Sequence, residues 1–220
     1  MVFGRDRKVE LVRPEDALPG RTESVPVAEA NLVSGRSMTG PFPEGFEEIV
    51  LGMGCFWGAE RIYWGLDGVW VTSVGYAGGF TPNPTYREVC TGMTGHAEVV
   101  RVVFDPSVIT LEEVLAPFWE QHDPTTPNRQ GNDVGTQYRS AIYHHDDAQR
   151  AVAEASRDRY QALLTAAGHG TVTTEIAPAG PYYLAEDEHQ QYLAKHPGGY
   201  CNHGFCQVAY DRQQPTGATA

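Results

Sequence analysis

The hydrophobic and polar positions organise sharply only after residue 45. Residues 1–45 are rich in turn formers (Pro14, Pro19, Gly20, Pro26, Gly35, Gly40, Pro41 and Pro43) and show neither a helical nor a strand repeat. They read as an extended arm on the domain or a loose tail. Residues 48–53 then form an apolar run bounded by glycine, a buried strand. After Gly54-Cys55-Phe56-Trp57-Gly58, residues 59–66 predict a helix stopped by Asp67-Gly68, and 69–74 a second strand. A Gly/Pro loop covers 75–95. Residues 98–104 are a β-branched strand ended by Asp105-Pro106. A helix follows over 110–120, where Thr110 and Glu113 have capping-box spacing. Residues 138–143 predict a strand. Asp146 can cap a helix reaching Ala167, with Tyr160, Leu163, Leu164 and Ala167 on one face and Gly168 closing it. A fifth strand is expected at 172–176 and a short helix at 187–195. No internal repeat or low-complexity tract interrupts this order.

From 48 to 143 the order is β-α-β-β-α-β, which predicts an α+β protein: a two-layer α/β sandwich with a ferredoxin-like (split βαβ) core and helices on one face of an antiparallel sheet. The expected division is an N-terminal extension over 1–45, a catalytic domain over 46–211 and a polar tail over 212–220.

Composition narrows the function. The 220 residues carry 16 Lys+Arg against 28 Asp+Glu, a formal charge of −12, which disfavours broad nucleic-acid binding because that runs on basic contacts to phosphates. No apolar run is long enough for a membrane helix, and Met1 to Lys8 has no apolar stretch behind its charges. The expectation is a cytoplasmic protein that binds neither membrane nor nucleic acid, and nothing calls for more than a monomer. Cys55, Cys90, Cys201 and Cys206 are too few for a disulfide scaffold in a chain of this length. In a reducing compartment such cysteines are catalytic, metal-binding or buried and inert.

Cys55 stands where a glycine-flanked turn leaves a strand and a helix begins. Unpaired N–H groups there favour negative charge, so a thiol would lose its proton more readily. The plain reading is a buried, inert cysteine. Gly54 and Gly58 leave room for a ligand, and Phe56 and Trp57 either line a small apolar pocket or belong to the core. Cys201 and Cys206 lie in a glycine-rich segment suited to a thiol relay, in which one cysteine reacts, a second resolves its oxidised form and a third passes the disulfide on. A zinc site is the rival there, since His196 and His203 are near, although the spacing fits no usual finger. Glu98 begins an otherwise apolar strand. If desolvated it would hold a proton near neutrality and act as a donor; on an exposed edge it would not. Asp133 and Tyr138 enter a strand from a polar loop that turn chemistry alone could explain. Tyr86 could merely anchor its loop, and Cys90 reads as inert.

Taken together, these residues resemble a known family. Gly54-Cys55-Phe56-Trp57-Gly58 looks like the signature of the A-type peptide-methionine sulfoxide reductases. The likeness continues in order through Gly75-Tyr76-Ala77-Gly78-Gly79, Thr85-Tyr86-Arg87, Gly95-His96-Ala97-Glu98, His122-Asp123-Pro124, Arg129-Gln130-Gly131-Asn132-Asp133, Gln137-Tyr138-Arg139-Ser140 and Glu188-His189-Gln190-Gln191-Tyr192-Leu193. It covers about 46–206, and the arm, with Ala17-Leu18-Pro19-Gly20-Arg21 and Ser37-Met38, is similar to longer bacterial members. The resemblance implies an enzyme that returns the S epimer of methionine sulfoxide, free or in proteins, to methionine, repairing oxidised proteins without cofactor or metal. It implies that Cys55 attacks the sulfoxide sulfur as a thiolate and Glu98 supplies a proton, helped by Tyr86 and Tyr138 with Asp133 on the polar side. Phe56 and Trp57 would pack on the substrate methyl. Cys201 would condense with the oxidised Cys55, and Cys206 would exchange with Cys201 to offer a disulfide to thioredoxin. The chain departs from the family where only four residues separate Cys201 from Cys206, fewer than in many members.

Two other classes compete. A papain-like cysteine hydrolase would use a His and an Asn downstream of Cys55, and His189, His196, His203 and Asn202 fall in the window. That reading leaves Glu98 and the tail thiols unused, and Gly52-Met53-Gly54 does not match its signature. The third reading is a zinc-stabilised binding module.

Overall fold

A computed structural model describes residues 9–201, 203 and 208–211 of the chain. Alternating side chains build its centre. In β1 (Glu47–Met53), Ile49, Leu51 and Met53 face one side and Val50 the other, the two-residue period that a pleated strand imposes. In β3 (Ala97–Phe104), Val100, Val102 and Phe104 join the first side, and Val99 and Val103 the second. With β2 (Val69–Ala77), β6 (Ser140–His144), β7 (Glu175–Pro178) and β8 (Tyr183–Leu184), they form a six-stranded sheet in the order β7-β6-β1-β3-β2-β8.

The sheet is mixed. β1 runs antiparallel to both β3 and β6, and β2 runs antiparallel to β3 and β8. β7 lies parallel to β6, a departure from the expected antiparallel sheet. The cause is α4 (Asp147–Ala166), a long crossover between the two strands; a parallel pair needs such a connection, whereas a hairpin cannot make one.

Helices cover one face. Tyr63 of α1 (Phe56–Tyr63), Leu115, Phe118 and Trp119 of α3 (Leu111–Gln121), and Tyr160 and Leu164 of α4 are buried against Ile49, Leu51, Val100 and Val102. Their polar ends are satisfied inside the core. The Tyr63 hydroxyl donates to the Val114 carbonyl at 3.2 Å, and the Trp119 indole donates to Ser156 Oγ at 3.1 Å. The opposite face is covered by the N-terminal arm, which resolves its ambiguity: Met38, Phe42 and Phe46 pack with Val71, Val103 and Trp70. The Arg36 guanidinium stacks 3.7 Å from the Trp70 ring centroid, and Arg21 forks onto Glu88.

Helix ends follow the local signals. Thr110 Oγ1 accepts from the Glu113 N–H while Glu113 Oε2 accepts from the Thr110 N–H. Asp146 Oδ1 accepts from Gln149 N at 2.7 Å at the start of α4, and Gly168 at φ +80 follows its end.

Four local expectations change. The 75–95 loop contains a short helix, α2 (Tyr86–Val89). Tyr138 belongs to a 3-10 turn over Thr136–Tyr138, so the strand begins at Ser140. A hairpin, β4 (Arg129–Gln130) with β5 (Asp133–Val134), precedes that turn. Of the helix expected over 187–195, only α5 (Tyr192–Lys195) forms, because Gln191 takes a left-handed backbone conformation at φ 47. Replacing Asp146 with Ala should lower stability by about 1 kcal/mol, the usual worth of an N-cap. Urea unfolding would show this as a shifted midpoint with an unchanged slope.

Candidate active site

Gly54, at φ +88, turns β1 into α1 and leaves Cys55 as the N-cap of that helix, with 6% of its surface exposed. The Trp57 and Gly58 N–H groups bias its sulfur toward the thiolate. Burial and the Glu98 carboxylate outweigh them and push the thiol well above its ordinary range. The helix start thus favours the thiolate as expected, but desolvation of the buried sulfur exceeds what the two backbone donors return.

β3 is a central strand, so Glu98 lies on no exposed edge. Its place in the alternation puts it on the face of Val100 and Val102, under the start of α1, with 1% exposure. Its Oε2 accepts the Phe56 N–H at 3.2 Å, and its Oε1 is buried with no hydrogen-bond partner among the described residues. Burial, with the charge of Asp133, pushes its carboxyl up to about 8. Glu98 thus holds its proton through neutrality, as a donor must.

Tyr86 opens α2 and Tyr138 ends the turn before β6. Both phenols are driven upward by burial and by the Glu98 carboxylate, so both remain hydrogen-bond donors. Asp133, on β5, acts electrostatically on Cys55, Glu98 and Tyr138 and accepts the Tyr200 hydroxyl at 3.2 Å. Phe56 is fully buried among Val74, Tyr76, Val89 and Ala185, and forms a floor; Trp57 and Tyr86 are half-buried above it.

The room beside the two glycines is already occupied. A Cβ on Gly54 would come within 2.4 Å of Gln130 Cβ. One on Gly58 would lie 2.2 Å from His203 Nδ1 and 2.9 Å from Cys201 Sγ. Gly58 therefore admits the tail against the first turn of α1 rather than a ligand. Cys201 is held there by Arg61, whose Nη2 donates to the sulfur at 3.1 Å. Cys206 lies outside the described residues.

Two of the histidines considered for the rival chemistries have partners in the fold. His203 Nε2 donates to the Met53 carbonyl at 2.8 Å, and burial lowers its pKa to about 4. His189 Nδ1 accepts the Trp57 indole N–H at 3.2 Å. Among the described residues no group of three or more His, Cys, Asp or Glu side chains could hold a metal ion.

Tyr192 enters the site without having been singled out for a role, and His189, considered above only as a hydrolase histidine, enters it as a partner of Trp57. The Trp57 ring stacks on Tyr192 at 3.9 Å between centroids and on His189 at 5.8 Å, and His189 also contacts the Tyr86 ring at 4.4 Å. Nearby, Glu186 accepts the Tyr86 N–H through Oε1 and the Tyr76 hydroxyl through Oε2. The signal was the Glu188–Leu193 block, which carried family likeness but no readable chemistry.

Known proteins resemble this chain over most of its length. The family model described as peptide methionine sulfoxide reductase matches residues 47–216. The chain is 62% identical over 205 residues to the peptide methionine sulfoxide reductase MsrA of Salinispora tropica, covering 92% of this chain and 93% of that protein. It is 59% identical to MsrA 1 of Caulobacter vibrioides, covering 90% and 91%. Among solved structures, methionine sulfoxide reductase A of Corynebacterium diphtheriae superposes with a TM-score of 0.82 at 50% identity, covering 87% of this chain and 93% of that one. The reduced form of Mxr1 from Saccharomyces cerevisiae gives 0.64 at 39% identity, covering 73% and 91%. The chain belongs to the peptide methionine sulfoxide reductase family, A type, and is a methionine sulfoxide reductase.

The buried acid has a measurable cost. Glu98 sits at about 8 in the fold against an ordinary 4.5. Between those values the unfolded chain has released a proton that the folded chain still holds, so this group removes stability as pH rises, by about 1.4 kcal/mol per pH unit within the window. Glu98→Gln abolishes that contribution. Its melting temperature should exceed the parent's at pH 8 and approach it at pH 5; an equal difference at both pH values would contradict the assignment.

Proposed function

We propose that the enzyme reduces the S epimer of methionine sulfoxide, free and in proteins, through Cys55 and Glu98, and that thioredoxin recycles it. The observation that carries this reading is the buried Cys55 thiol at the start of α1 beside a carboxyl that keeps its proton near neutrality. The strand order β6-β1-β3-β2 supports describing the centre as a split βαβ, ferredoxin-like core; the division that goes with this reading is a catalytic unit over 46–211, an extension over 1–45 and a tail over 212–220. The enzyme works as a cytoplasmic monomer and needs no cofactor.

In this mechanism the sulfoxide oxygen accepts hydrogen bonds from Glu98 and from the Tyr86 and Tyr138 hydroxyls. The methyl group packs on Trp57 above the Phe56 floor. Cys55 Sγ bonds to the sulfoxide sulfur as the oxygen takes the Glu98 proton, and the thiol proton replaces it on Glu98. The protonated oxygen then transfers to Cys55 Sγ, breaking both its bond to the substrate sulfur and the newly formed sulfur–sulfur bond. Methionine leaves reduced by two electrons, and Cys55, oxidised by two, becomes a sulfenic acid. The thiol of Cys201 then condenses with it, forming the Cys55–Cys201 disulfide and releasing water. Cys206 exchanges with Cys201, and thioredoxin reduces the disulfide, restoring the thiols. A protonated Glu98 also removes one of the three influences, with burial and Asp133, that hold the Cys55 proton in place, so the acid form serves both partners of the first step.

Single turnover on separated epimers of a blocked methionine sulfoxide tests this scheme. Methionine should appear from the S epimer only, with two thiols lost per enzyme. Cys55→Ser should form none; robust reduction by that variant would sink the assignment. Cys201→Ser should yield about one methionine per enzyme and fail to cycle with thioredoxin. Glu98→Ala should slow the reduction step about 10²–10⁴-fold, the range for a lost general acid. The parent's reduction rate should fall as pH rises past about 8 and Glu98 loses its proton; a Glu98→Gln enzyme retaining that descending limb would remove Glu98 from the proton step.

A further inference from the structure

Glu60 is a fully buried carboxylate three residues beyond Trp57 on α1, and the scheme above gives it no task. Its oxygens meet only donors. Oε1 accepts from Thr72 Oγ1 at 3.1 Å and from Gln191 Nε2 at 2.8 Å, and Oε2 accepts from the Gln191 backbone N–H at 2.7 Å. An amide in its place would turn an N–H₂ group toward one of those donors. Burial raises this carboxyl to about 7, so the arrangement costs stability.

What Glu60 grips is unusual backbone. Gln191 is a non-glycine residue at φ 47, ψ 40, a conformation that L residues adopt at a cost of about 1–2 kcal/mol. Its two neighbourhoods hold the indole of Trp57: His189 lies on one side of Gln191 in sequence and Tyr192 on the other, and both stack on that ring. His189 also takes the indole N–H. Between them, Gln190 is tied to β2 by hydrogen bonds to both backbone groups of Val74. The angle at Gln191 therefore sets how His189 and Tyr192 present themselves to Trp57.

The N-terminal arm reaches the same point. Leu32 N–H donates to Gln191 Oε1 at 3.0 Å, and Gln191 Nε2 lies 3.4 Å from Met38 Sδ. Ala28 N–H donates to Asp187 Oδ1 at 2.9 Å in the same loop.

We propose that Glu60 is a positioning residue for sulfoxide binding: by clamping Gln191 in its left-handed conformation, with the arm completing the clamp through Leu32, it fixes His189 and Tyr192 and so holds Trp57 in place. The proposal rests on the reading that Trp57 packs on the substrate methyl. It gives the arm a part in the pocket although none of its residues enters the site.

A double-mutant cycle on the full-length enzyme tests it. KM and kcat for a blocked methionine S-sulfoxide are measured for the parent, Glu60→Gln, Trp57→Phe and the double variant. Glu60→Gln should raise KM about tenfold, a loss of about 1.4 kcal/mol in binding, while the single-turnover rate at saturating substrate stays within about twofold of the parent. In the Trp57→Phe background the same change should add little, since the ring it positions is gone. An unchanged KM for Glu60→Gln, or fully additive effects, overturns the clamp. An unchanged KM for Trp57→Phe instead overturns the reading of Trp57 beneath it. Leu32→Pro keeps the proposal testable should Glu60→Gln fold poorly. Leu32 is exposed and follows Asn31, whose side chain accepts the Val33 and Ser34 N–H groups as an N-cap does, so Leu32 holds a first-turn position that favours proline, and the substitution removes the N–H that Gln191 accepts. That variant should raise KM severalfold with kcat retained, and parent-like KM would remove the arm from the clamp.

Discussion

The hydrogen bond from the Phe56 N–H to Glu98 Oε2 joins the two halves of the chemistry. It ties the first turn of α1, which carries Cys55, to the start of β3, which carries the acid, and it consumes a backbone donor that the helix start leaves unpaired. One carboxylate oxygen is thereby fixed while the other stays buried without a protein partner among the described residues. The same burial holds a proton on Glu98 and on Cys55. Keeping both groups neutral suits the proposed reaction, in which a leaving oxygen is protonated as a nucleophile is exposed. Much of the surrounding structure serves to maintain that dryness, from the Phe56 floor to the tail lying against Gly58.

A second layer of order comes from the segment over 186–192, where nearly every side chain supports something else. Glu186 holds Tyr86 and Tyr76, His189 holds Trp57, Gln190 completes the β2 edge, and Gln191 joins α1 to the arm. Such a segment has no regular pattern of its own, because its residues are matched to partners on four separate elements. The arm is similar. Among its described residues it holds only a 3-10 turn over Pro14–Asp16 and one bridge between Ala30 and Ser37, yet Met38 and Asn31 are buried because the second face of the sheet needs a cover.

Several features were legible before any coordinates. The Thr110 and Asp146 caps, the apolar runs of β1 and β3 and the junction at Cys55 are local, and the local signals agree with the fold. Thr85 and Glu88 carry the same capping-box spacing as Thr110 and Glu113, and they do form a box; the surrounding glycines and prolines hid that short helix inside a loop. Tyr138 read as a strand residue, but the turn that aims its ring depends on Gly135, whose backbone accepts the Tyr138 N–H. The glycines of the Cys55 motif were read as room for a ligand. Their neighbours turned out to be Gln130 and the tail, which distant segments supply.

By itself, the sequence determined the positions of the longer strands and helices, the placement of a thiol at a helix start and, through an ordered set of motifs, the family. These depend on residues within a few positions of each other, where propensity and capping act. Tertiary structure decided the protonation of that thiol, the burial of Glu98, the seat of Cys201 and the part played by the arm. Each of these is set by a contact across a long stretch of chain: 42 residues from Phe56 to Glu98, 131 from Glu60 to Gln191 and 150 from Met53 to His203. Desolvation is a property of everything packed around a group, and no local pattern states what that will be.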